Sequence, residues 1–164
     1  MVFLIDSLTS DADTFKNQLD AYYRYLESVK DSLPPDAFSF ATATWHYDFS
    51  DHRSPHDSWV ESITLREPSS GERHQHRKIE ITVMLLAAYH DGHIVLAYQD
   101  VRSYQLTALP SSNSTPLRNG HGDWLIDEVR LSESGLVSHE ILFSSGARWL
   151  IESADIQYQW EPAL

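Results

Sequence analysis

Apolar and polar residues alternate along two runs that flank Asp91-Gly92, and this pattern predicts a β-hairpin over residues 78–105. A two-residue turn at Asp-Gly would place Tyr89 opposite Ile94. One face of the predicted hairpin is apolar along its length. The other face is polar at its open end and apolar near the turn, where a covering element, a partner or a second copy is expected. The interface candidates on this second face are Leu86, Ala88, Val95 and Ala97.

Between residues 10 and 33 the apolar residues recur every three or four positions, which predicts an amphipathic helix over about 11–33. Asp11 and Asp13 lie in its first turn, and Pro34-Pro35 ends it. We expect its aromatic residues to pack against a sheet.

The rest of the chain has a period of two. It predicts strands over residues 37–47, 59–66, 124–131, 136–143, 148–151 and 156–160. The last four are separated by short turns and predict a meander. The expected fold is α+β, a single domain over 1–164 with one N-terminal helix packed on a largely antiparallel, meander-like sheet of about seven or eight strands. Residues 110–122, rich in Ser, Asn, Pro and Gly, predict a mobile loop within the β-rich part, 37–160.

Composition narrows the function classes. The chain has 164 residues and no cysteine, which excludes disulfides, thiolate metal sites and a cysteine nucleophile, and favours a cytoplasmic location. The apolar run Met1 to Ile5 is followed by Asp6 and is too short for a signal peptide or a membrane span, so we expect a short strand or a docked tail. A formal charge of −12 argues against nucleic-acid binding. Solubility is the simpler explanation of this charge, and attraction to a basic partner is the alternative.

Nine histidines make a metal site the first chemistry to weigh. His74 and His76 could share one strand face, and His90 and His93 should be neighbours across the predicted hairpin. A metal needs a third ligand, which the sequence does not identify, and solvent-exposed turn histidines are the simpler interpretation. No metal is predicted. Gly-rich phosphate loops and Gly-x-Ser-x-Gly motifs are missing, so no cofactor is predicted.

The final meander carries the only catalytic candidates. Asp127 and Glu128 should lie roughly opposite Glu140 and His139 if residues 132–135 close their hairpin, and a histidine with two acids can do acid-base chemistry. The same pattern is typical of a half-buried sheet with Glu128 and Glu140 on its wet face. His139 then falls on the dry side, where a core histidine is commoner than a general base. No residue is assigned a catalytic role.

The segment His56-Asp57-Ser58-Trp59-Val60-Glu61-Ser62-Ile63 opens a strand, and it is followed by long hairpins, the Tyr104 region and a terminal Ile156-Gln157-Tyr158 strand. Over residues 55–160 this arrangement resembles small bacterial β-rich proteins related to the immunity proteins of polymorphic toxin systems. The resemblance implies a non-catalytic binding protein whose sites are interface residues, with a basic toxin domain as partner. The resemblance does not identify any individual site residue in this chain.

The leading hypothesis is an acidic, cytoplasmic binding protein, immunity-like, that uses carboxylates and aromatic side chains to occlude a protein partner. It predicts that these groups cluster on one face. Two alternatives stay open: a small-molecule or metal-dependent enzyme with a His/carboxylate site in the sheet, and a homodimeric structural subunit. Neither nucleic acid nor membrane is an expected partner.

Overall fold

The structure, a computed structural model, describes residues 1–109 and 120–164 and shows an α+β fold with antiparallel sheets. Two helices are present in the described residues, α1 (Ala12–Val29), extended by a 3-10 turn (Lys30–Ser32), and α2 (Pro35–Thr42). Neither is long and apolar enough to cross a bilayer. The strands are β1 (Trp59–Arg66), β2 (Ser69–Ser70), β3 (His76–Arg77), β4 (Ile79–Leu86), β5 (Gly92–Val101), β6 (Ser103–Leu106), β7 (Trp124–Leu131), β8 (Val137–Phe143), β9 (Arg148–Ser153) and β10 (Asp155–Pro162).

These ten strands form three sheets, and the prediction of one sheet with seven or eight strands is wrong. The first sheet has the order β1-β4-β5-β10, and the second has the order β6-β9-β8-β7. The third is the short pair β2-β3, whose four residues are all exposed. Of the predicted loop over 110–122, residues 110–119 lie outside the described part of the chain.

The two larger sheets join at a corner where two strands bend together. β5 continues into β6, and β9 continues into β10. Backbone bonds from Arg102 N to Glu152 O (2.8 Å) and from Ala154 N to Gln99 O (2.9 Å) keep the two bent strands paired through the corner. β7, β8 and β9 form the predicted meander, but β10 does not, because the single residue Ala154 links it to β9 and carries it across to β5.

The β4–β5 hairpin exists, but its register differs from the prediction. Leu85, not Tyr89, lies opposite Ile94, and the turn spans residues 87–91 with the positive φ at His90 (57°). β5 ends at Val101, so the hairpin does not reach residue 105. From Ile81 to Tyr98 the faces are still the predicted ones, since the pairing moved by an even number of residues. Val101 was predicted on the outward face, but it is buried beyond the irregularity in this pairing. The inward side chains Ile81, Val83, Leu85, Ile94, Leu96 and Tyr98 are all buried.

A glycine is required at position 92 by the close approach of β10 and not by the turn. A Cβ at this position would lie 2.6 Å from ring carbons of Trp160 and 2.7 Å from the carbonyl oxygen of Glu161. The Asp-Gly signal therefore reflects close packing of the neighbouring strand.

α2 replaces the predicted strand over 37–47. Pro35 occupies its first turn, where the missing N–H costs nothing, and the side chain of Asp155 accepts a bond from Ala37 N (3.2 Å). Ala37, Phe40 and Ala41 follow a helical spacing and are buried. The period-two pattern was compatible with both structures, and packing of this face against β10 and β7 selects the helix.

α1 confirms the predicted helix, although it ends at Val29. Asp11 caps it by accepting a bond from Thr14 N (2.9 Å), and Tyr22 and Leu26 are its buried residues. It packs beside β7 and the N-terminal segment, which is a docked tail with Leu4 and Ile5 buried. The outward face of the hairpin is not covered by this helix.

Candidate functional site

A chain of buried polar groups crosses the space between the two sheets. It starts at Tyr98 on β5, whose hydroxyl lies 2.7 Å from His139 Nδ1. The other ring nitrogen of His139 lies 2.8 Å from Asp127 Oδ2. On the far side of that carboxylate, His46 Nε2 lies 3.0 Å from both oxygens. The Trp124 indole N–H also donates to Asp127 (3.1 Å).

The hydrogen-bond partners of a histidine ring indicate which of its nitrogens carry hydrogen. His46 Nδ1 lies 2.8 Å from the carbonyl oxygen of Phe40, and its Nε2 faces the carboxylate of Asp127. Because both partners are acceptors, both ring nitrogens carry hydrogen and His46 is a cation. His139 lies between the Tyr98 hydroxyl and Asp127, so each of its ring nitrogens has a hydrogen-bond partner.

Asp127 is ionised despite its burial. Burial raises the pKa of its carboxyl group, but the charge of His46 and the hydrogen bonds from His139 and His46 outweigh that effect and hold the pKa well below its ordinary value. A buried, fully bonded ion pair of this kind is costly to break, because the partner left behind is an uncompensated charge.

Within the described part of the chain, the network is closed off from solvent. His46, Asp127 and His139 are each at most 2% exposed. The nearest described cavity is a groove of about 550 Å³ between α2 and β10, and the ring of Phe40 separates it from His46 at a centroid distance of 4.4 Å. Phe40 lines this groove, but Asp127 and His139 do not.

The four catalytic candidates therefore separate into two groups. Asp127 and His139 are in contact on the buried side, as the alternation predicted for His139. Glu128 lies opposite Glu140 on the other side of the sheet, one residue away from the predicted register. Glu140 contacts Arg130 and Arg148, which makes it part of a charged surface cluster.

Glu128 was predicted on a wet face, but it is completely buried. Its Oε1 accepts the backbone N–H groups of Phe3 (2.8 Å), Leu4 and Ile5 (3.0 Å). Burial raises the pKa of this carboxyl group, opposed by those N–H groups and by Arg130. Its role is to hold the N-terminal tail on the sheet.

The free edge of β7 is closed by side chains. The Tyr22 hydroxyl donates to Val129 O (2.9 Å) and accepts from Val129 N (2.8 Å). Tyr47 donates to Asp127 O (2.8 Å), and Leu131 N donates to the hydroxyl of Tyr25 (2.9 Å). His56 Nδ1 bonds Leu125 O (2.8 Å). An edge whose backbone groups are satisfied in this way cannot pair with another strand.

His46 and these edge contacts were missed by sequence reasoning. His46 falls in the region predicted as a strand, and its contact with Asp127 joins residues 81 positions apart. The only sequence signal was the excess of histidine and tyrosine, which does not say which of them are buried.

A second group of histidines and carboxylates is exposed, at the end of the first sheet where β1 begins and the β4–β5 turn lies. We call it the acidic aromatic end and define it as residues 48–61 and 87–93. His52 contacts Asp91 and stacks on Tyr89 (4.0 Å between ring centroids). His93 Nε2 lies 2.9 Å from Glu61 Oε2.

Three of the large exposed hydrophobic side chains belong to this end, Phe49 (40% exposed), Trp59 (47%) and Tyr89 (50%). Trp59 packs edge-on to His90 at 4.7 Å, and Phe49 stacks on His56 at 3.8 Å. The two ranges contain five carboxylates, Asp48, Asp51, Asp57, Glu61 and Asp91, against one cation, Arg53.

That cation is already neutralised. Arg53 makes two hydrogen bonds to Asp51, and these bonds lower the pKa of Asp51 to about 2. The remaining carboxylates give the end an excess of negative charge.

The metal candidates do not come together. His90 and His93 are not opposite each other, because His93 pairs with Leu86. His74 and His76 lie in the exposed β2–β3 segment, at a turn and on β3 respectively. Among the described residues, no group of three His, Asp or Glu side chains has the arrangement to hold a metal ion.

Three interface candidates share one surface. Leu86, Val95 and Ala97 are half-buried on the outward face of the first sheet, whereas Ala88 lies in the turn.

Comparisons of the chain with known protein families, with curated proteins and with solved structures find no match.

Proposed function

We propose that this protein is a non-catalytic binding protein that docks a basic protein partner on the acidic aromatic end and occludes it. The observation that carries the proposal is the presence of two exposed aromatic side chains, Trp59 and Tyr89, at the end of the first sheet where Asp91 contacts His52 and Glu61 contacts His93. The resemblance to immunity proteins supports the same class, with a basic toxin domain as the partner.

Each part of the cluster has a separate physical role. Exposed Trp and Tyr side chains supply most of the binding energy of protein interfaces, because they bury a large area at small entropic cost. Carboxylates at the same place attract a basic partner over about 8 Å at physiological salt and raise the association rate.

The aromatic rings are also held in place. Tyr89 is stacked on His52, and Trp59 contacts His90, so little side-chain freedom is lost when a partner binds. The histidines add a partial polar ring around the aromatic centre.

An enzymatic function receives less support. The buried cluster of His46, Asp127 and His139 has catalytic residue types, but its polar atoms are already paired with one another. A substrate would have to replace bonds that hold the core together.

Affinity capture from the source cell tests the proposal, with the wild type and Trp59→Ala/Tyr89→Ala as baits. We expect the wild type to retain a basic protein in a one-to-one complex, and we expect the double variant to lose it. A purified complex should weaken by at least about 30-fold when Trp59 alone is changed, the effect of removing one interface hot spot.

Tyr104→Ala is the matched control, since Tyr104 is 45% exposed on the other sheet. It should bind as the wild type does. Raising the salt concentration should slow association more than it speeds dissociation. Capture that survives the double variant, or a partner without excess positive charge, would contradict the proposal.

A further inference from the structure

The two larger sheets differ in how far their edge strands are covered by other parts of the protein. Tyrosine and histidine side chains close the edge of β7, but β1, one of the two edge strands of the first sheet, has six exposed residues out of eight. Within residues 1–109 and 120–164, no backbone bond outside the β4 ladder reaches Trp59–Arg66. This strand can therefore accept another strand.

An apolar side chain marks the same edge. Leu65 lies opposite Ile81 on the inward face, and yet it is 44% exposed whereas Ile81 is completely buried. Ile63, on the same face, is half-buried. The core is open at β1, so an added strand would cover apolar surface as well as satisfy backbone groups.

The distribution of basic and acidic residues at the two ends of β1 indicates which strand could pair with this edge. The segment 66–78, which we call the basic flap, connects β1 to β4 and contains four basic residues against two acidic ones, in a chain with a formal charge of −12. His74 and His76 are also in it. The basic flap is at one end of β1 and the acidic aromatic end is at the other, separated by a strand of eight residues, or about 26 Å.

We propose that two copies of this chain pair their β1 strands antiparallel about a two-fold axis. In that arrangement the basic flap of each copy lies beside the acidic aromatic end of the other. A parallel arrangement would instead place like charges together. The two-fold arrangement gives the favourable contact twice, as expected for a symmetric dimer.

The bulge in β1 fixes the register. Pairing with β4 is interrupted between Val60 and Ser62, and the regular stretch is Ser62 to Arg66. Thr64 is its centre, so full pairing of two such stretches places Thr64 on the axis. Ile63 then faces Leu65 of the second copy, which keeps apolar side chains on one face of the joined sheet.

This inference extends the proposed function without depending on it. The second copy would cover the surface that we propose for a basic partner, so partner binding would compete with the dimer. Measuring the dimer in purified protein without any partner separates the two ideas.

Cross-linking tests the register, because the chain has no cysteine of its own. Thr64→Cys should form a covalent dimer on mild oxidation, since directly opposite residues on an antiparallel pair are close enough for a disulfide. Thr82→Cys is the control, because Thr82 is exposed on the adjacent strand β4 but is not at the edge. Equal cross-linking of both variants would overturn the register.

Sedimentation equilibrium tests the charge pairing with three samples. The flap variant Arg73→Glu/Arg77→Glu and the end variant Glu61→Lys/Asp91→Lys should each be monomeric, because like charges then meet across the axis. A one-to-one mixture of the two should restore a mass of twice 18.8 kDa, since both contacts become attractive again.

The wild type should be dimeric, and Leu65→Lys should be monomeric. Leu8→Lys, at a residue of similar exposure (46%), should not change the mass. A wild type that remains monomeric up to about 1 mM, or a mixture of the two charge variants that does not associate, would overturn the proposal.

Discussion

The buried network and the acidic aromatic end use the same chemical groups in opposite environments. At the first, Asp127 lies between two histidines and all three side chains are at most 2% exposed. At the second, His52 contacts Asp91 with both side chains about half exposed. In water such a pair contributes about 0–1 kcal/mol, whereas breaking a buried pair costs several times more. The residue types alone therefore do not identify the functional site; burial does.

Replacing the central carboxylate should have the largest effect on stability. Asp127→Ala leaves the His46 cation and the Trp124 N–H without their acceptor, so the free energy of unfolding should fall by about 3–5 kcal/mol. Urea denaturation measures this. Asp91→Ala, at the exposed pair, should change it by no more than about 1 kcal/mol. Similar losses at the two sites would remove the contrast between them.

Removing a side-chain group that closes the edge of β7 should have an intermediate effect on the free energy of unfolding. Tyr22→Phe leaves Val129 N and O unpaired in a buried place, which should cost about 1–3 kcal/mol in the same measurement. Tyr23→Phe is the matched control, because Tyr23 is the next residue on α1 and is only half-buried. An equal, small effect of both substitutions would show that the hydroxyl of Tyr22 does not protect the edge.

Acid should remove the contribution of Asp127 gradually. Its pKa is lower in the folded protein than the value of about 3.9 in the unfolded chain, so the stability it contributes is complete above that pH and is lost as the pH falls below it. The difference in unfolding free energy between the wild type and Asp127→Asn measures this contribution. Below about pH 4 it should shrink by up to about 1.4 kcal/mol per pH unit. A difference that stays constant down to about pH 2 would contradict the assignment of the charge to Asp127.

Local patterns in the sequence predicted the elements whose structure is decided locally. β1 and β7 have the predicted bounds, and α1 begins one residue from its predicted start, because alternation and helical spacing act over a few residues. The short helix α2 was predicted as a strand, since eight residues with alternating apolar side chains satisfy both periods. Its packing against β10 is a tertiary effect.

The sites required contacts that no local pattern contains. Gly92 suggested a turn, but the need for it comes from Trp160, which is 68 residues away in the sequence. The sequence placed His139 on the dry side of its sheet, but it did not indicate that His46 would join it. The acidic aromatic end is assembled by the contact between His52 and Asp91, from segments 39 residues apart.

One set of histidines is closed off inside the protein, and the other is available for binding. Modification of the folded protein with diethyl pyrocarbonate, followed by peptide mass spectrometry, tests it directly. We expect His52, His90 and His93 to react while His46 and His139 stay unmodified until the protein is unfolded. Reaction of His46 or His139 in the folded protein at the rate of His90 would show that the network opens to solvent, and the claim would then be wrong.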